Sequence, residues 1–226
     1  TDFTIMTAHR SIVREVDRVF DFIEKPYLPV NFKELLLSPN DMRKRLTALI
    51  NQEIKNKRQG KEAYILAKVN HITDAKLIRR LYAAAAVGVR LRLLVRGNCS
   101  IVASAHDRGR IEIRGIIDRY LEHSRILIFG HGGDERIYIG SADWMTRNLD
   151  NRVEAYAPVY DEAVRRELRR IVDEGLADNV AARVVDGTGD NLLYDDGRPP
   201  RLAAATLRAL PCRIRRKIAI LSSLIA

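Results

Sequence analysis

The chain has 226 residues, 46% of them hydrophobic and 30% charged, with a formal net charge of +10. That length allows one large domain or two small ones with a real core, and the balance excludes a largely disordered chain. No apolar run approaches the roughly 20 residues of a membrane span, and no secretory leader pattern opens the chain. Cys99 and Cys212, the two cysteines, give neither a disulfide framework nor a zinc site, so a reducing cytoplasm is the expected compartment.

In chain order, Thr1 to Thr7 alternates like a half-buried strand, with Phe3 and Ile5 inward. Ser11 is the expected cap of a helix to about Glu24, its apolar face formed by Ile12, Val16, Val19, Phe20 and Ile23. Pro26 and Pro29 mark a linker, and Ser38-Pro39-Asn40-Asp41 starts a second helix to about Arg58. Ala63–Val69 reads as a buried strand, Asp74–Val87 as a helix stopped by Gly88, and Val89–Val95 as the next strand. This alternation predicts α/β layers with a right-handed crossover. Further strands are predicted over Ile111–Ile117, Arg125–Phe129, Arg136–Ile139 and Arg152–Val159. Asp161 caps a last helix to about Glu174, and His131-Gly132-Gly133-Asp134 reads as a hairpin turn. After Gly187 the pattern degrades. Gly197-Arg198-Pro199-Pro200 is a linker, and Ile218–Ala226 is a short apolar end.

The charge is unevenly spread. From Gly197 onward there are seven basic residues and no acid, which leaves +3 of the +10 for the rest. Any anion site in the body must therefore be local. An internal similarity also stands out. At an offset of 152 residues, Arg14, Glu15, Arg18 and Asp21 meet Arg166, Glu167, Arg170 and Asp173, Val16 and Val19 meet Leu168 and Ile171, and Asp2 meets Glu154. Two amphipathic helices with shared charge habits account for this. So does a chain that opens, on Thr1 and mid-strand, inside the end of an earlier copy of the same unit.

Two short runs carry the chemistry. In Glu122-His123-Ser124-Arg125, residues i and i+2 of a strand share a face, so His123 and Arg125 project together. A histidine serves as nucleophile, general acid or general base near neutral pH, and a guanidinium grips phosphate oxygens bidentately. Gly140-Ser141-Ala142-Asp143-Trp144 leaves the next strand, with Gly140 allowing close backbone approach, Ser141 and Asp143 supplying hydrogen bonds, and Trp144 walling the site. Arg96-Gly97-Asn98-Cys99 follows a strand end, where ligands of α/β sheets gather. Arg96 is a candidate phosphate clamp there, Gly97 frees backbone N–H groups, and Cys99 is a small filler. Lys68-Val69-Asn70 ends its strand with two polar residues on one face. His9 reads as a solvated turn residue, and His71 and His106 lack partners at metal-ligand spacing. Glycine-rich NTPase signatures are absent.

The stretches VFDFIEKPYLPVNFKELLLSP, AKVNHITD, LLVRGNCS, DRYLEHSRILIFG, GGDERIYIGSADWMTRNLDNRVEAYAPV and NVAARVVDG span most of Thr1 to Gly187. Together they resemble the C-terminal part of the long, histidine-phosphorylated polyphosphate kinases of bacteria. The resemblance implies a phospholipase D-like α/β sandwich with a mixed central sheet flanked by helices. It places residues 1–28 at the end of a first such unit, 29–187 in a second, and 188–226 in a basic, divergent tail with no expected order. It implies reversible transfer of the ATP γ-phosphate to polyphosphate, with magnesium, by a histidine of the first unit that lies upstream of Thr1. No metal site is implied within this chain. Carried over by motif, His123 is the second unit's essential histidine, acting as acid or electrostatic partner, and Arg96 its phosphate-binding arginine. Arg125 joins them as an ATP or polyphosphate contact, and Lys68, Asn70, Ser141 and Asp143 support them. The implied partners are polyphosphate, ATP/ADP, the N-terminal domains of the same enzyme and further copies of it, with no specific nucleic acid. The implied location is cytoplasmic, with peripheral membrane association left open. Two other readings remain at this stage. One is a phosphodiesterase or nuclease of the phospholipase D superfamily, against which Arg125 and Gly130 stand where Lys and Asp are usual. The other is a non-catalytic polyanion-binding module.

Overall fold

The computed structural model describes residues 2–27, 29–103, 109–119 and 121–203. Cys212, His106, the apolar end from Ile218 and the tail's basic residues from Arg208 onward lie outside the described residues. The secondary structure comprises β1 (Leu36–Ser38), β2 (Tyr64–Val69), β3 (Arg90–Val95), β4 (Ile111–Ile116), β5 (Arg125–Phe129), β6 (Arg136–Gly140), β7 (Glu154–Pro158) and β8 (Ala182–Val184). The helices are α1 (Arg10–Glu24), α2 (Met42–Arg58), α3 (Ala75–Ala86), α4 (Thr146–Asp150) and α5 (Glu162–Leu176).

The strands form one mixed sheet in the order β1-β7-β6-β5-β2-β3-β4-β8. β2, β3 and β4 run parallel, and β5, β6 and β7 form an antiparallel meander joined to β2. This is the expected α/β architecture of a mixed central sheet flanked by helices. Strict alternation sends successive residues to opposite faces. Leu127 and Phe129 join Ile65, Leu91 and Leu93 in one core, under α2 and α3. Ile126 and Ile128 join Leu66, Leu94 and Ile139 in the other, under α5. Each fully buried Leu or Ile contributes roughly 1.5–3 kcal/mol.

The helices follow from capping and spacing. Met42, Leu46, Ile50 and Ile54 recur every fourth residue and are buried in α2, whose last turn carries Lys55, Lys57 and Arg58 at the negative end of the helix dipole. Asp74 caps α3 by accepting from the Leu77 N–H at 2.9 Å. Asp161 caps α5 through Val164 N–H, also at 2.9 Å.

Several expectations change. Residues 2–7 form no strand, although Phe3 and Ile5 still pack against the α5-side core. Ser11 does not cap α1. The helix begins at Arg10 with His9 at its cap, and the Ser11 hydroxyl donates to Glu34. α1 buries Ile12, Glu15 and Phe22 against the β1–β7 edge, while Val13, Val16, Phe20 and Ile23 are exposed. Glu15 wins a buried place because its carboxylate accepts the N–H groups of Lys33, Glu34 and Leu35 at 2.6–3.0 Å. The three-residue strands β1 and β8 and the short α4 were not anticipated. From Leu192 to Ala203 the chain is tied to the body. Tyr194 N–H donates to Ala182 O at 2.8 Å, the Arg114 guanidinium lies 3.6 Å over the Tyr194 ring, and Asp178 accepts from Ala203 N–H at 2.7 Å.

At the far end of the sheet, the β5–β6 turn rests on Glu53 of α2. Its carboxylate is 0% exposed and accepts from His131 N–H at 2.7 Å and Tyr64 N–H at 3.1 Å. No cation pairs with it among the described residues, and burial raises its pKa from the usual 4.5 to about 7, against the pull of those two hydrogen bonds. A carboxyl with a raised folded-state pKa adds stability that is complete below about pH 4.5 and is lost as pH rises through about 7. Unfolding free energy is therefore expected to fall by on the order of 2 kcal/mol between pH 5 and 8 from this group. Glu53→Gln should flatten that slope in urea titrations. His131, held below its usual value by burial, contributes with the opposite sign to both proteins and largely cancels. An unchanged slope in the variant would remove Glu53 from this account.

Candidate functional site

β2 and β3 end, β5 begins and β6 ends on the same rim of the sheet. The registers place Arg125 opposite Gly140 and, through Ile126 opposite Lys68, beside the end of β2. This rim is where polar side chains from different strands meet. Asn70 follows β2, Arg96 follows β3, His123 precedes β5 and Asp143 follows β6.

Asp143 is the hub. It is 5% exposed, and its Oδ1 accepts the Asn70 backbone N–H at 2.8 Å. The same carboxylate receives Arg125 through Nε at 3.3 Å and Nη2 at 3.2 Å. Arg125 then holds the His123 carbonyl through Nη1 at 2.9 Å, and its two terminal nitrogens lie 3.2 Å from the two ring nitrogens of His123. Asn70 links the other half. Its Oδ1 accepts from Arg96 Nε at 2.9 Å, and its Nδ2 lies 3.5 Å from the His123 carbonyl. His123 is thereby brought against Arg125, as the two-residue spacing requires, although the strand proper starts only at Arg125.

A carboxylate from far along the chain completes the ring environment. Asp2 lies 3.1 and 3.2 Å from Nδ1 of His123. Which ring nitrogen carries the proton sets the roles here, and Asp2 favours a proton on Nδ1. Nothing local signals a contact 121 residues apart. Lys68, 8% exposed, donates from Nζ to Ser124 O at 3.1 Å and Ser124 Oγ at 2.9 Å, and pairs with Glu122 at 3.2 Å. Burial lowers its pKa while Glu122 supports the charge. Glu122 and Ser124, the residues flanking His123, had no assigned role in the sequence.

The remaining candidates take other places. The Ser141 side chain is exposed just past the end of β6, accepting from Ala155 N–H at 3.3 Å, and is outside this cluster. Trp144 does not wall the site. It is 0% exposed, and its carbonyl accepts the N–H groups of Thr73 and Asp74 at 2.9 Å, fastening the loop into α3. Gly140 serves strand packing, since a Cβ there would stand 2.2 Å from Ala155 O. Gly97 frees no donor: its N–H binds Asn70 O at 2.7 Å, and a Cβ would meet the His71 ring at 2.4 Å. His71 accepts the Asn98 N–H at 2.9 Å. Burial raises the Cys99 thiol pKa, which disfavours a nucleophilic thiolate.

Chemically, the rim presents guanidinium and imidazole groups backed by the buried carboxylate of Asp143. Arg96 keeps both terminal nitrogens without a partner among the described residues. Such a surface suits oxyanions of phosphate. Among the described residues no three His, Cys, Asp or Glu come together as a metal-holding group, and a rim of cations does not fit a divalent metal. No described helix is long and apolar enough to cross a membrane.

Comparison with known proteins gives the family. Residues 35–204 match the family model described as polyphosphate kinase C-terminal domain 2. The polyphosphate kinase of Escherichia coli (strain K12) is 44% identical over 205 residues, which is 90% of this chain and 30% of that protein. That of Vibrio cholerae is 41% identical over 198 residues, 87% of this chain and 28% of that protein. A crystal structure of polyphosphate kinase from Porphyromonas gingivalis superposes with a TM-score of 0.86 at 38% identity, covering 94% of this chain and 32% of that one. The chain thus spans about a third of the length of these relatives. With the family model covering most of its residues, the chain belongs to the polyphosphate kinase family, within that family's C-terminal domain.

Proposed function

We propose that this chain works as the C-terminal part of a polyphosphate kinase, forming one wall of a site that moves the γ-phosphate of ATP to the end of a polyphosphate chain. The observation that carries this reading is the linked set Arg96–Asn70–His123–Arg125–Asp143 at the sheet rim, in a chain of this family. The phosphate-accepting histidine belongs to a preceding sister unit. It attacks the γ-phosphorus, forming a P–N bond as the P–O bond to ADP breaks. A terminal oxygen of polyphosphate then attacks the same phosphorus, and the P–N bond breaks. Arg96 and Arg125 hold non-bridging oxygens. His123, across the cleft, stabilises the charge spread over the transferring group, with proton donation to the leaving oxygen as the lesser role. The intact enzyme is cytoplasmic and works as a homo-oligomer.

The sister unit is supported by α1. Its exposed Val16 and Phe20 stand, at the offset of 152, where α5 has Leu168 and Val172, which are buried against the sheet. On this reading residues 1–28 close the first unit, and the α1 stripe packs on that unit's own sheet. The second unit starts near residue 29 and takes in the tied segment up to Ala203.

Two outcomes are expected. In the full-length kinase that carries this chain, His123→Ala should lower kcat/KM for ATP at least ~100-fold; wild-type kinetics in that variant would end the reading of the rim as the site. The 226-residue chain alone should bind polyphosphate without transferring phosphate, and Arg96→Ala should weaken that binding ~10-fold or more in fluorescence anisotropy. If binding instead survived Arg96→Ala and vanished on deletion of the basic tail after Ala203, a polyanion-binding tail would replace the pocket. Turnover of a nitrophenyl phosphodiester by the chain would favour a phosphodiesterase.

A further inference from the structure

We infer that Lys68 is a positioning residue of this site: it fixes His123 by gripping the residue on each side of it, and it touches no substrate itself. This rests on the reading of His123 as the group that faces the transferring phosphate.

An ammonium has three N–H donors and no acceptor. Lys68 Nζ has three partners within 3.2 Å: the Ser124 carbonyl, the Ser124 hydroxyl and the Glu122 carboxylate. Its donors are thus committed, whereas Arg96 uses one nitrogen on Asn70 and keeps two open. A lysine placed to bind phosphate would hold a donor toward solvent. Lys68 is instead 8% exposed, and Ser124 is 3% exposed.

The partners decide what is positioned. Glu122 and Ser124 bracket His123, so a single ammonium holds the Ser124 carbonyl on one side of the imidazole and the Glu122 carboxylate on the other. The His123 carbonyl is held independently by Arg125 at 2.9 Å. The segment from 122 to 124 lies outside regular structure, so no ladder of strand hydrogen bonds sets its path. These side-chain contacts take that part. The cavity beside Lys68 has Leu94, Ile116 and Ile171 on its apolar side and Arg96, Asp118 and Glu122 on the other. There a charge without partners would be costly, and an apolar side chain of similar length would be well received. Lys68→Met is therefore a change that the fold should accept while the grip on residues 122 and 124 is lost.

The test is a kinetic cycle in the full-length kinase that carries this chain, with thermal melts to verify folding. Lys68→Met is expected to lower kcat about 10- to 100-fold, the range for partners that orient a functional group through hydrogen bonds, and to leave KM for ATP within about 2-fold. In a His123→Ala background the same change should cost less than about 2-fold further, because its effect runs through His123. Ser124→Ala removes one of the three acceptors and should give a smaller kcat loss that also disappears in the His123→Ala background; it carries the test if Lys68→Met does not fold. A raised KM with kcat unchanged would make Lys68 a phosphate contact and overturn the proposal. So would losses that multiply with His123→Ala, or no loss in either variant. If His123→Ala itself kept wild-type turnover, the underlying site reading would fall as well. If His123→Ala collapsed activity while Lys68→Met and Ser124→Ala did not, the positioning role alone would fall.

Discussion

The buried carboxylate of Asp143 is the constraint on which the rest of the rim depends. It meets Arg125 from the start of β5 and the Asn70 N–H from the end of β2, and it stands at the exit of β6. Three strand ends are joined through one 5%-exposed side chain. Removing either partner of such a pair leaves an uncompensated charge, which costs about 3–5 kcal/mol. The pairing also directs the Arg125 guanidinium toward His123, so one interaction sets both the packing of the rim and its chemistry. Asn70 passes the same order on to Arg96. Both guanidinium groups are held by protein partners, and preorganised charge of this kind is what the proposed function requires.

The proposed function implies a division of labour. The rim brings together Arg96, Arg125 and His123, and the polyphosphate kinases that the chain matches are about three times as long. A wall that stabilises transferring charge, with the covalent acceptor on another unit, is consistent with that proportion. The exposed apolar stripe of α1 fits the same picture. Val16, Phe20 and Ile23 are 41%, 61% and 51% exposed and belong to none of the three apolar clusters of the described residues.

Much of this was legible in the sequence, for identifiable reasons. β5 is visible because five apolar-rich residues between polar turns leave little choice of strand, and α3 and α5 because Asp74 and Asp161 sit at their caps. The pairing of His123 with Arg125 follows from the two-residue period, and it holds because Arg125 Nη1 binds the His123 carbonyl. The misses are equally physical. β1 and β8 have three residues each, too few for any period to show. The buried face of α1 was misjudged because Glu15, a charged residue, is buried by three backbone N–H groups from residues 33–35. Gly140 and Gly97 were read as ligand-facing when the neighbours that exclude a Cβ are Ala155 and His71. Trp144 was placed at a wall because a large aromatic after a polar turn carries no sign of its depth. The Asp2–His123 contact and the grip of Lys68 join positions far apart in the chain, and only the folded sheet brings them together.

The most direct measurement of the central claim is a double-mutant cycle on Asp143 and Arg125, read as the unfolding free energy of this chain in urea. If one buried pair organises the rim, Asp143→Ala and Arg125→Ala should each destabilise the chain, and the double variant should cost about 1–3 kcal/mol less than the two added together. Losses that add to within about 0.5 kcal/mol would mean that the two side chains act independently. The rim would then owe its order to something other than Asp143.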